Sequence, residues 1–325
     1  MLSLILGVQH QVDCIIPSSD EYASLLRRIG DRIPPAVKFV LPPGDLVDRL
    51  NDKRSEIQLI RSTGVPLPRT ELDLESLGVE RAGLRFPVII KPRSYRGFAT
   101  LGAKNRVLSD AKELSDFLDK YRSILDELLL QEVIPGDEAH QWVCNATFDQ
   151  TSRMVSAFTF QRLGTIPYMY GVTTLAVSCH NEEVKALCRA LGQALRYTGP
   201  LMAEFKQDPR SGAYCYIEIN PRLGMCNWFD NNCGVANAFN TYALAVDLPV
   251  KSNTSEQVNG KIYLNLLLDL YARRHGRQPL SQVFALYKRT LTSRIVFPAL
   301  TLTDPLPAVS HTLATVWRRL SGRRT

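Results

Sequence analysis

Residues 201–222 read LMAEFKQDPRSGAYCYIEINPR and constrain the fold more than any other segment of the chain. Two stretches in which apolar and polar residues alternate flank a turn-forming DPRSG cluster, so the segment predicts a β-hairpin. Folding the chain about that turn places Glu204 opposite Glu218. Because side chains alternate along a strand, Asn220 shares a face with Glu218.

Two carboxylates set opposite each other on a sheet destabilise it unless something offsets their charge. A hard cation bound by both carboxylates and the nearby amide would do so, and oxygen ligands of this kind suit Mg²⁺ held jointly with phosphates. The metal ligands predicted here are Glu204, Glu218 and Asn220. The alternative is a solvated sheet face that carries two glutamates by chance.

At 325 residues, with 45% hydrophobic and 22% charged residues, the chain is expected to be globular and to hold two or three lobes. No apolar run approaches the roughly 20 residues of a transmembrane helix. The apolar residues 1–8 lack a basic start and a cleavage site, so they predict a short helix or strand and not a signal peptide.

The seven cysteines form no CxxC pair and their number is odd. This favours reduced, mostly buried thiols and a cytoplasmic protein over disulfides or a zinc site. Cys226 and Cys233 flank the predicted metal loop, and we expect them to be buried in packing contacts; the alternative is that one of them is a reactive thiol. Residues 251–325 carry twelve Lys or Arg and three acids, a net charge of +9, which leaves −2 for the rest of the chain. That distribution argues against a nucleic-acid-binding protein.

Strands and helices alternate without a βαβ rhythm, which favours α+β lobes over a Rossmann domain. Helices are predicted over 20–28, 51–62, 109–118, 182–197 and 234–246, and strands over 12–17, 37–41, 86–91, 128–133, 141–148 and 154–161. Ser18 or Ser19 would cap the first of these helices, and Ser109 would open the third.

Four sequence blocks, in order along residues 50–250, resemble those of the ATP-grasp superfamily of ligases. They are Asn51-Asp52-Lys53 followed by GVPLP at 64–68, FPVIIKP at 86–92, LLQEVIPGDE at 129–138, and the EFK and EINPR segments of the hairpin. RLGTIP at 162–167 followed by GVTT at 171–174 is similar to the carboxylate–amine ligases related to D-aspartate ligase.

The resemblance implies an ATP-grasp fold of two α+β lobes. The small lobe would span 51–133, the large lobe with the metal site 134–250, and a basic helical extension 251–325. Residues 1–50 would form part of an α/β unit, shorter than the complete domain that the family places there.

The resemblance also implies a nucleotide site that binds ATP with Mg²⁺, for which Mn²⁺ can substitute. Lys53 and Lys91 are assigned to nucleotide binding, and Lys91 would hold the phosphates. Residues 93–102 occupy the place of the family's glycine-rich phosphate loop but contain only two glycines, so Arg93 and Arg96 are the candidate phosphate ligands and Lys104 a weaker one. Solvated charges on a surface loop are the alternative for both arginines.

The adenine hinge would lie at Glu132 and Val133, whose backbone would meet the amino group of the base, with Ile134 beside the ring. Glu138 resembles the carboxylate that accepts from the ribose hydroxyls, and Asp137 is the neighbouring alternative.

Arg222, two residues after Asn220, would stabilise the charge that develops on the transferred phosphoryl group, with Lys91 as the second catalytic residue. Lys206 shares a face with Glu204 and is interpreted as neutralising it. Arg162 is a candidate for binding an acidic group of the substrate.

These assignments predict an ATP-dependent carboxylate–amine ligase that forms an acylphosphate and releases ADP and phosphate, with small-molecule carboxylate and amine substrates. The alternatives are a non-catalytic nucleotide- or partner-binding protein and an ATP-grasp enzyme that uses bicarbonate or a thiol acceptor.

Residues 311–324 place Leu313, Val316, Trp317 and Leu320 on one face of a helix beside four arginines. We expect this helix to pack on the body of the protein. A weak peripheral contact with an anionic membrane surface is the alternative.

Overall fold

The computed structural model describes residues 2–8, 10–76, 83–93, 95–103, 105–169, 171–276, 278–290, 293–298, 305–307 and 309–310. Lys104 and the predicted amphipathic helix at 311–324 lie outside these residues. Within the described residues, no helix is both long enough and apolar enough to cross a membrane.

The N-terminal unit is helical: α1 (Leu2–Val8), α2 (Asp20–Ile29) and a 3₁₀ turn (Gly30–Arg32). Ser19 caps α2 by accepting a 3.2 Å hydrogen bond from the Tyr22 amide, as predicted. The strands predicted over 12–17 and 37–41 are wrong as elements. The two segments meet at a single parallel bridge between Cys14 and Lys38.

Two short helices lead into the small lobe, α3 (Leu46–Asn51) and α4 (Lys53–Thr63). Asp52 is the single residue between them, and its side chain caps α4 by accepting a 2.8 Å hydrogen bond from the Ser55 amide. Gly64, with φ of 74°, ends α4 in the left-handed region that favours glycine.

The small lobe is a four-stranded antiparallel sheet in the order β1-β4-β2-β3. Its elements are β1 (Thr70–Glu71), β2 (Val88–Pro92), α5 (Tyr95–Leu101), β3 (Arg106–Leu108), α6 (Ala111–Lys120), a 3₁₀ segment (Arg122–Glu127) and β4 (Leu128–Glu132). Asp110, not Ser109, caps α6 by accepting from the Lys112 and Glu113 amides.

The large lobe is built on a seven-stranded sheet in the order β11-β10-β7-β6-β5-β8-β9. Its elements are a 3₁₀ turn (Glu138–His140), β5 (Gln141–Phe148), β6 (Met154–Ile166), β7 (Val172–Ser178), α7 (Glu182–Ala194), β8 (Gly199–Gln207), β9 (Tyr214–Asn220), α8 (Asn227–Asn232), α9 (Asn237–Ala245), β10 (Ile262–Leu264), α10 (Leu266–His275), α11 (Leu280–Thr290) and β11 (Ile295–Val296). The predicted α+β class is confirmed.

Residues beyond 250 are not only a helical extension, because β10 pairs with β7 in the large sheet and β11 pairs with β10. The predicted boundary at 250 therefore does not coincide with the edge of the large sheet.

The main core covers one face of the large sheet. Side chains of α4 and α7, such as Ile60 and Leu191, pack there against Phe205 and Tyr216 of the β8–β9 hairpin at one edge of the sheet. The polar residues that alternate with Phe205 consequently point to the opposite face, where the candidate site lies.

Candidate active site

The hairpin places its two glutamates as the sequence predicted, because Glu204 on β8 is the direct partner of Glu218 on β9. Asn220 follows two residues later, opposite Met202. The ladder is irregular just after Glu204, where one extra residue of β9 is accommodated. Tyr216 and Ile219 pack in the core on the other face of the sheet.

Each of these three side chains contacts a cation. Arg162 binds the carboxylate of Glu204 through both terminal nitrogens, at 2.5 and 2.8 Å. The Lys53 ammonium donates to Glu218, and the Arg222 guanidinium donates to the Asn220 amide oxygen at 3.0 Å. The repulsion between the two facing carboxylates is therefore offset by cations from separate parts of the chain.

Lys53 is the first residue of α4, and its ammonium also lies 3.0 Å from the carboxylate of Glu56 one turn later. Glu56 is buried and accepts hydrogen bonds from the Tyr216 hydroxyl and, at 3.2 Å, from the Ile219 amide. Burial raises the pKa of Glu56, although Lys53 opposes that shift. For Glu218 burial acts against ionisation, but Lys53 holds its pKa below the usual value, so this carboxylate is charged at neutral pH.

Lys91, on β2 of the small lobe, lies near Lys53, Glu56 and Glu218. Its ammonium donates to the Gln131 side-chain oxygen at 2.8 Å, and the Gln131 amide donates to the Thr70 hydroxyl at 2.9 Å. Burial and the neighbouring Lys53 lower the pKa of Lys91. Among the described residues Lys91 has no carboxylate in direct contact, which leaves a cation suited to an anionic ligand.

The predicted hinge begins where β4 ends, at Glu132. The Val133 amide donates to the Pro87 carbonyl at 3.0 Å. A pair of this kind in an antiparallel ladder normally exchanges two hydrogen bonds, but proline has no N–H to return to the Val133 carbonyl. That carbonyl can accept from an exocyclic amino group. Ile134 follows it and is buried, as a residue packed beside a ring would be.

Glu138 is buried, and one of its carboxylate oxygens accepts from the Thr165 amide at 2.7 Å and the Thr165 hydroxyl at 2.6 Å. Thr165 thus fixes the carboxylate, and no described residue donates to its second oxygen, which leaves that oxygen for a ligand. Asp137, the alternative, accepts from the Ala139 amide and from His140. Its side chain is mostly exposed, so Glu138 is the better candidate for a fixed contact.

Comparisons with known proteins show similarity in sequence and in fold. No protein-family model matches the chain. The D-aspartate ligase of Enterococcus faecium (strain Aus0004) is 26% identical over 233 residues, which cover 66% of this chain and 54% of that ligase. The chain therefore spans about half the length of the curated relative that it matches.

Two of the solved structures that match the chain illustrate the shared fold. The ADP complex of the N5-carboxyaminoimidazole ribonucleotide synthetase PurK has a TM-score of 0.59, with 15% identity, and the match covers 78% of this chain and 66% of that one. The biotin carboxylase domain of the Hydrogenobacter thermophilus 2-oxoglutarate carboxylase, with MgADP, ADP and bicarbonate, has a TM-score of 0.60, with 17% identity, and the match covers 80% and 59%.

The chain has the ATP-grasp fold. The fold drawn from the four sequence blocks is confirmed, and so is the resemblance to D-aspartate ligase. The roles of individual residues in the candidate site remain predictions.

One feature of the ATP-grasp small lobe differs from the prediction. The segment expected to form an irregular phosphate loop contains the helix α5, since its residues other than Gly97 are compatible with a helix. Arg93 donates to the Asp52 carboxylate at 3.1 Å, and Arg96 lies 3.9 Å from Glu127 with a side chain that is 65% exposed. Arg93 therefore lies beside the N-terminal end of α4, which begins at Lys53, whereas the side chain of Arg96 is largely exposed to solvent.

Two other cations lie in contacts that differ from those predicted. Arg162, expected to bind an acidic group of the substrate, contacts Glu204, and its substrate role remains a prediction. Lys206, expected to neutralise Glu204, has no ion pair with it among the described residues. The two cysteines beside the site behave as expected. Cys226 and Cys233 are buried, and burial raises the pKa of Cys226 to about 12 and that of Cys233 to about 11.

The predicted metal ligands fit a magnesium ion by donor type. The described residues contain no group of three or more His, Cys, Asp or Glu side chains arranged around a common point. Two carboxylates and one amide oxygen suit Mg²⁺, which keeps water and phosphate oxygens among its ligands, and they do not suit zinc.

Sequence reasoning did not identify three residues of the site. Gln131 contacts Lys91, Glu56 contacts Lys53, and Asp20 lies 3.0 Å from Arg222. The spacing of three residues between Lys53 and Glu56 on one helix was a usable signal. Asp20 is about 200 residues from Arg222, and no local pattern connects them.

Proposed function

We propose that this protein is an ATP-dependent ligase that joins a carboxylate to an amine through an acylphosphate and releases ADP and phosphate. The observation that carries the proposal is the pairing of Glu204 with Glu218 on one sheet face, with Asn220 beside them and Lys91 facing them. The similarity to D-aspartate ligase favours amino acids or related small metabolites as substrates.

In this reaction a carboxylate oxygen of the first substrate attacks the γ-phosphorus of ATP, and the bond to the β-phosphate oxygen breaks. The amine of the second substrate then attacks the acyl carbon, loses a proton to solvent or a base, and releases phosphate. Glu204, Glu218 and Asn220 would hold Mg²⁺, which supplies charge neutralisation on the phosphates. Lys91 and Lys53 would fix the phosphates, and Arg222 would stabilise the charge on the transferred group.

Two ion pairs support this assignment. Lys53 pairs with Glu218 and Arg162 pairs with Glu204, and a metal bound by the two carboxylates would take over the neutralisation of their charge. Both cations would then be available to phosphate or substrate oxygens at the moment those oxygens arrive.

The first test measures ADP and phosphate release with MgCl₂, ATP and pairs of amino acids. We expect Glu218→Gln to lower turnover at least about 100-fold, because it removes one anionic ligand with little change of shape. Glu183→Gln, an exposed change of the same kind on α7, is the control and should leave turnover within twofold. Near-normal turnover of Glu218→Gln would overturn the metal assignment.

The second test separates the proposed function from its alternatives. Oxygen-18 in the substrate carboxylate should appear in the released phosphate if an acylphosphate forms, and labelled bicarbonate should not be incorporated into product. Incorporation of bicarbonate would favour the second candidate, for which the bicarbonate-bound structural neighbour is the supporting observation. ATP binding without turnover across the whole screen would favour the non-catalytic alternative.

We also infer a cytoplasmic location from the seven free cysteines.

A further inference from the structure

The reaction above gives no role to the end of the GVPLP segment, residues 64–68, which leads into β1. Thr70, the first residue of β1, is 2% exposed, and its hydroxyl donates to the Pro68 carbonyl at 2.8 Å. The ring of Pro68 fixes the φ angle of that residue. Arg61 on α4 donates to the Thr70 carbonyl. The backbone on both sides of the Thr70 hydroxyl is therefore held in place.

Thr70 lies directly opposite Gln131, because β1 pairs with β4 at these two residues. Leu130 packs in the core of the small lobe, so Gln131 projects from the other face of that sheet. There its amide lies between the Thr70 hydroxyl, at 2.9 Å, and the Lys91 ammonium, at 2.8 Å. Gln131 is 3% exposed, so the two ends of its amide take their hydrogen bonds from these two neighbours.

The four groups can form hydrogen bonds in one direction only. A backbone carbonyl accepts and cannot donate, so the Thr70 hydroxyl must donate its single proton to Pro68. The hydroxyl oxygen then accepts from the Gln131 amide nitrogen, which turns the amide oxygen toward Lys91. An ammonium has donors and no acceptor, so it binds that oxygen and would be repelled by the amide nitrogen. The Thr70 hydroxyl thus decides which atom of Gln131 meets Lys91.

We propose that Thr70 is a positioning residue for Lys91 and acts through the amide of Gln131. Without the hydroxyl, the amide is free to turn over and present its nitrogen to the ammonium. Lys91 then loses the acceptor that holds its side chain in one rotamer, and its charge is less well placed for the phosphates. This rests on the proposed function, which assigns Lys91 to the phosphates, and it adds a residue that does not itself touch the nucleotide.

The first test compares variants of Thr70 in the full chain by calorimetric titration of ADP with MgCl₂ and by steady-state turnover. Thr70→Val removes the hydroxyl with little change of shape and should bind ADP at least about fivefold more weakly. The KM for ATP should rise, while the KM values of the carboxylate and amine substrates should not. Thr70→Ser keeps the hydroxyl and should restore ADP affinity to within about twofold of wild type. A loss in Thr70→Ser as large as in Thr70→Val overturns the proposal.

Thr290→Val is the matched control. Thr290 on α11 is also buried, and its hydroxyl also donates to a backbone carbonyl, that of Leu286 at 2.8 Å. This variant should bind ADP as wild type does, and an equal loss in both Val variants would overturn the proposal. Thermal melting of each variant checks the fold. If Thr70→Val does not fold, Gln131→Met, which keeps the apolar stem and removes the amide, takes its place and should show the same loss.

A double-mutant cycle decides whether Thr70 acts through Lys91. In the Lys91→Met background, Thr70→Val should weaken ADP binding by less than about twofold further, because the ammonium that it positions is gone. A further loss as large as in wild type overturns the proposal. If wild type binds ADP and Thr70→Val binds it equally well, this proposal fails and the proposed function stands. If wild type binds no ADP, both fail.

Discussion

Asp230 shows how burial alone sets the behaviour of one side chain. It is 1% exposed, and its carboxylate accepts from the side-chain amides of Asn145 at 2.9 Å and Asn237 at 2.8 Å. No cation pairs with it among the described residues. Burial raises its pKa to about 7, although the two amides oppose the shift.

This pKa predicts a specific dependence of stability on pH. The folded protein binds the Asp230 proton more tightly than the unfolded chain, whose Asp titrates near about 4. The free energy of unfolding therefore falls as pH rises from about 4 to about 7. Above about pH 7 the contribution of Asp230 to this free energy no longer changes. Asp230→Asn removes the titration, so its melting temperature relative to wild type should rise between pH 5 and pH 8. Asp116→Asn, exposed on α6, should show a constant difference. A constant difference for Asp230→Asn as well would contradict the assignment.

At the scale of single residues, sequence identified those whose position follows from local pattern. Glu204 and Glu218 lie on one hairpin, so strand alternation was sufficient to pair them. The cation that each carboxylate contacts was not predictable. Lys206 was expected to neutralise Glu204 because both residues lie on one face of one strand, but Arg162 reaches Glu204 from β6, two strands away, and no local pattern indicates that contact.

At the scale of elements, the strands and helices with strong periodicity were predicted well. β5 has the predicted bounds, and α7 begins at the predicted residue and ends three residues early. The predictions failed where tertiary pairing decides the structure. β6 continues to Ile166, five residues beyond its predicted end, because β7 pairs with it there. The short α8 lacks a run long enough to give a helical pattern.

The helix α5 depends on one close contact, and this gives a prediction for the element. A Cβ built on Gly97 would lie 2.6 Å from the Glu127 carbonyl oxygen and 3.3 Å from Pro92. Gly97→Ala must therefore move α5 away from the 3₁₀ segment, at a cost of about 1–3 kcal/mol that exceeds the helix propensity gained. We expect a lower melting temperature. Gly7→Ala, in a helix where the new Cβ meets nothing within 4 Å, should be neutral or stabilising. Equal melting temperatures for the two variants would show that α5 does not need the contact.

At the scale of the whole molecule, the site is assembled from parts that are distant in sequence. Lys53 comes from the helix between the N-terminal unit and the small lobe, Lys91 from the small lobe, and Glu218 from the large lobe. The resemblance of the ordered sequence blocks to ATP-grasp ligases predicted this assembly, which the local structure of each block does not fix by itself. The contact of the N-terminal unit with the site was not predictable, because no local pattern in residues 1–50 indicates that one of them would pair with Arg222.

That contact is made by Asp20, the first residue of α2. Its carboxylate lies 3.0 Å from Nε of Arg222 and accepts from Nη2 at 3.3 Å, while the Asn51 side chain donates to the Asp20 carbonyl at 3.2 Å. Arg222 is thus held between Asp20 and Asn220.

If Arg222 stabilises the phosphoryl group in transfer, Asp20→Asn should lower kcat, because a guanidinium held on one side only is positioned less well. We expect a loss of about tenfold or more in ligase turnover, with the affinity for ADP within twofold of wild type. Asp31→Asn, an exposed change in the same N-terminal unit, controls for the loss of one charge and should leave both values unchanged. A variant with wild-type kcat would show that Arg222 does not need Asp20. An equal loss of kcat and ADP affinity would place Arg222 on the bound nucleotide and not on the phosphoryl group in transfer.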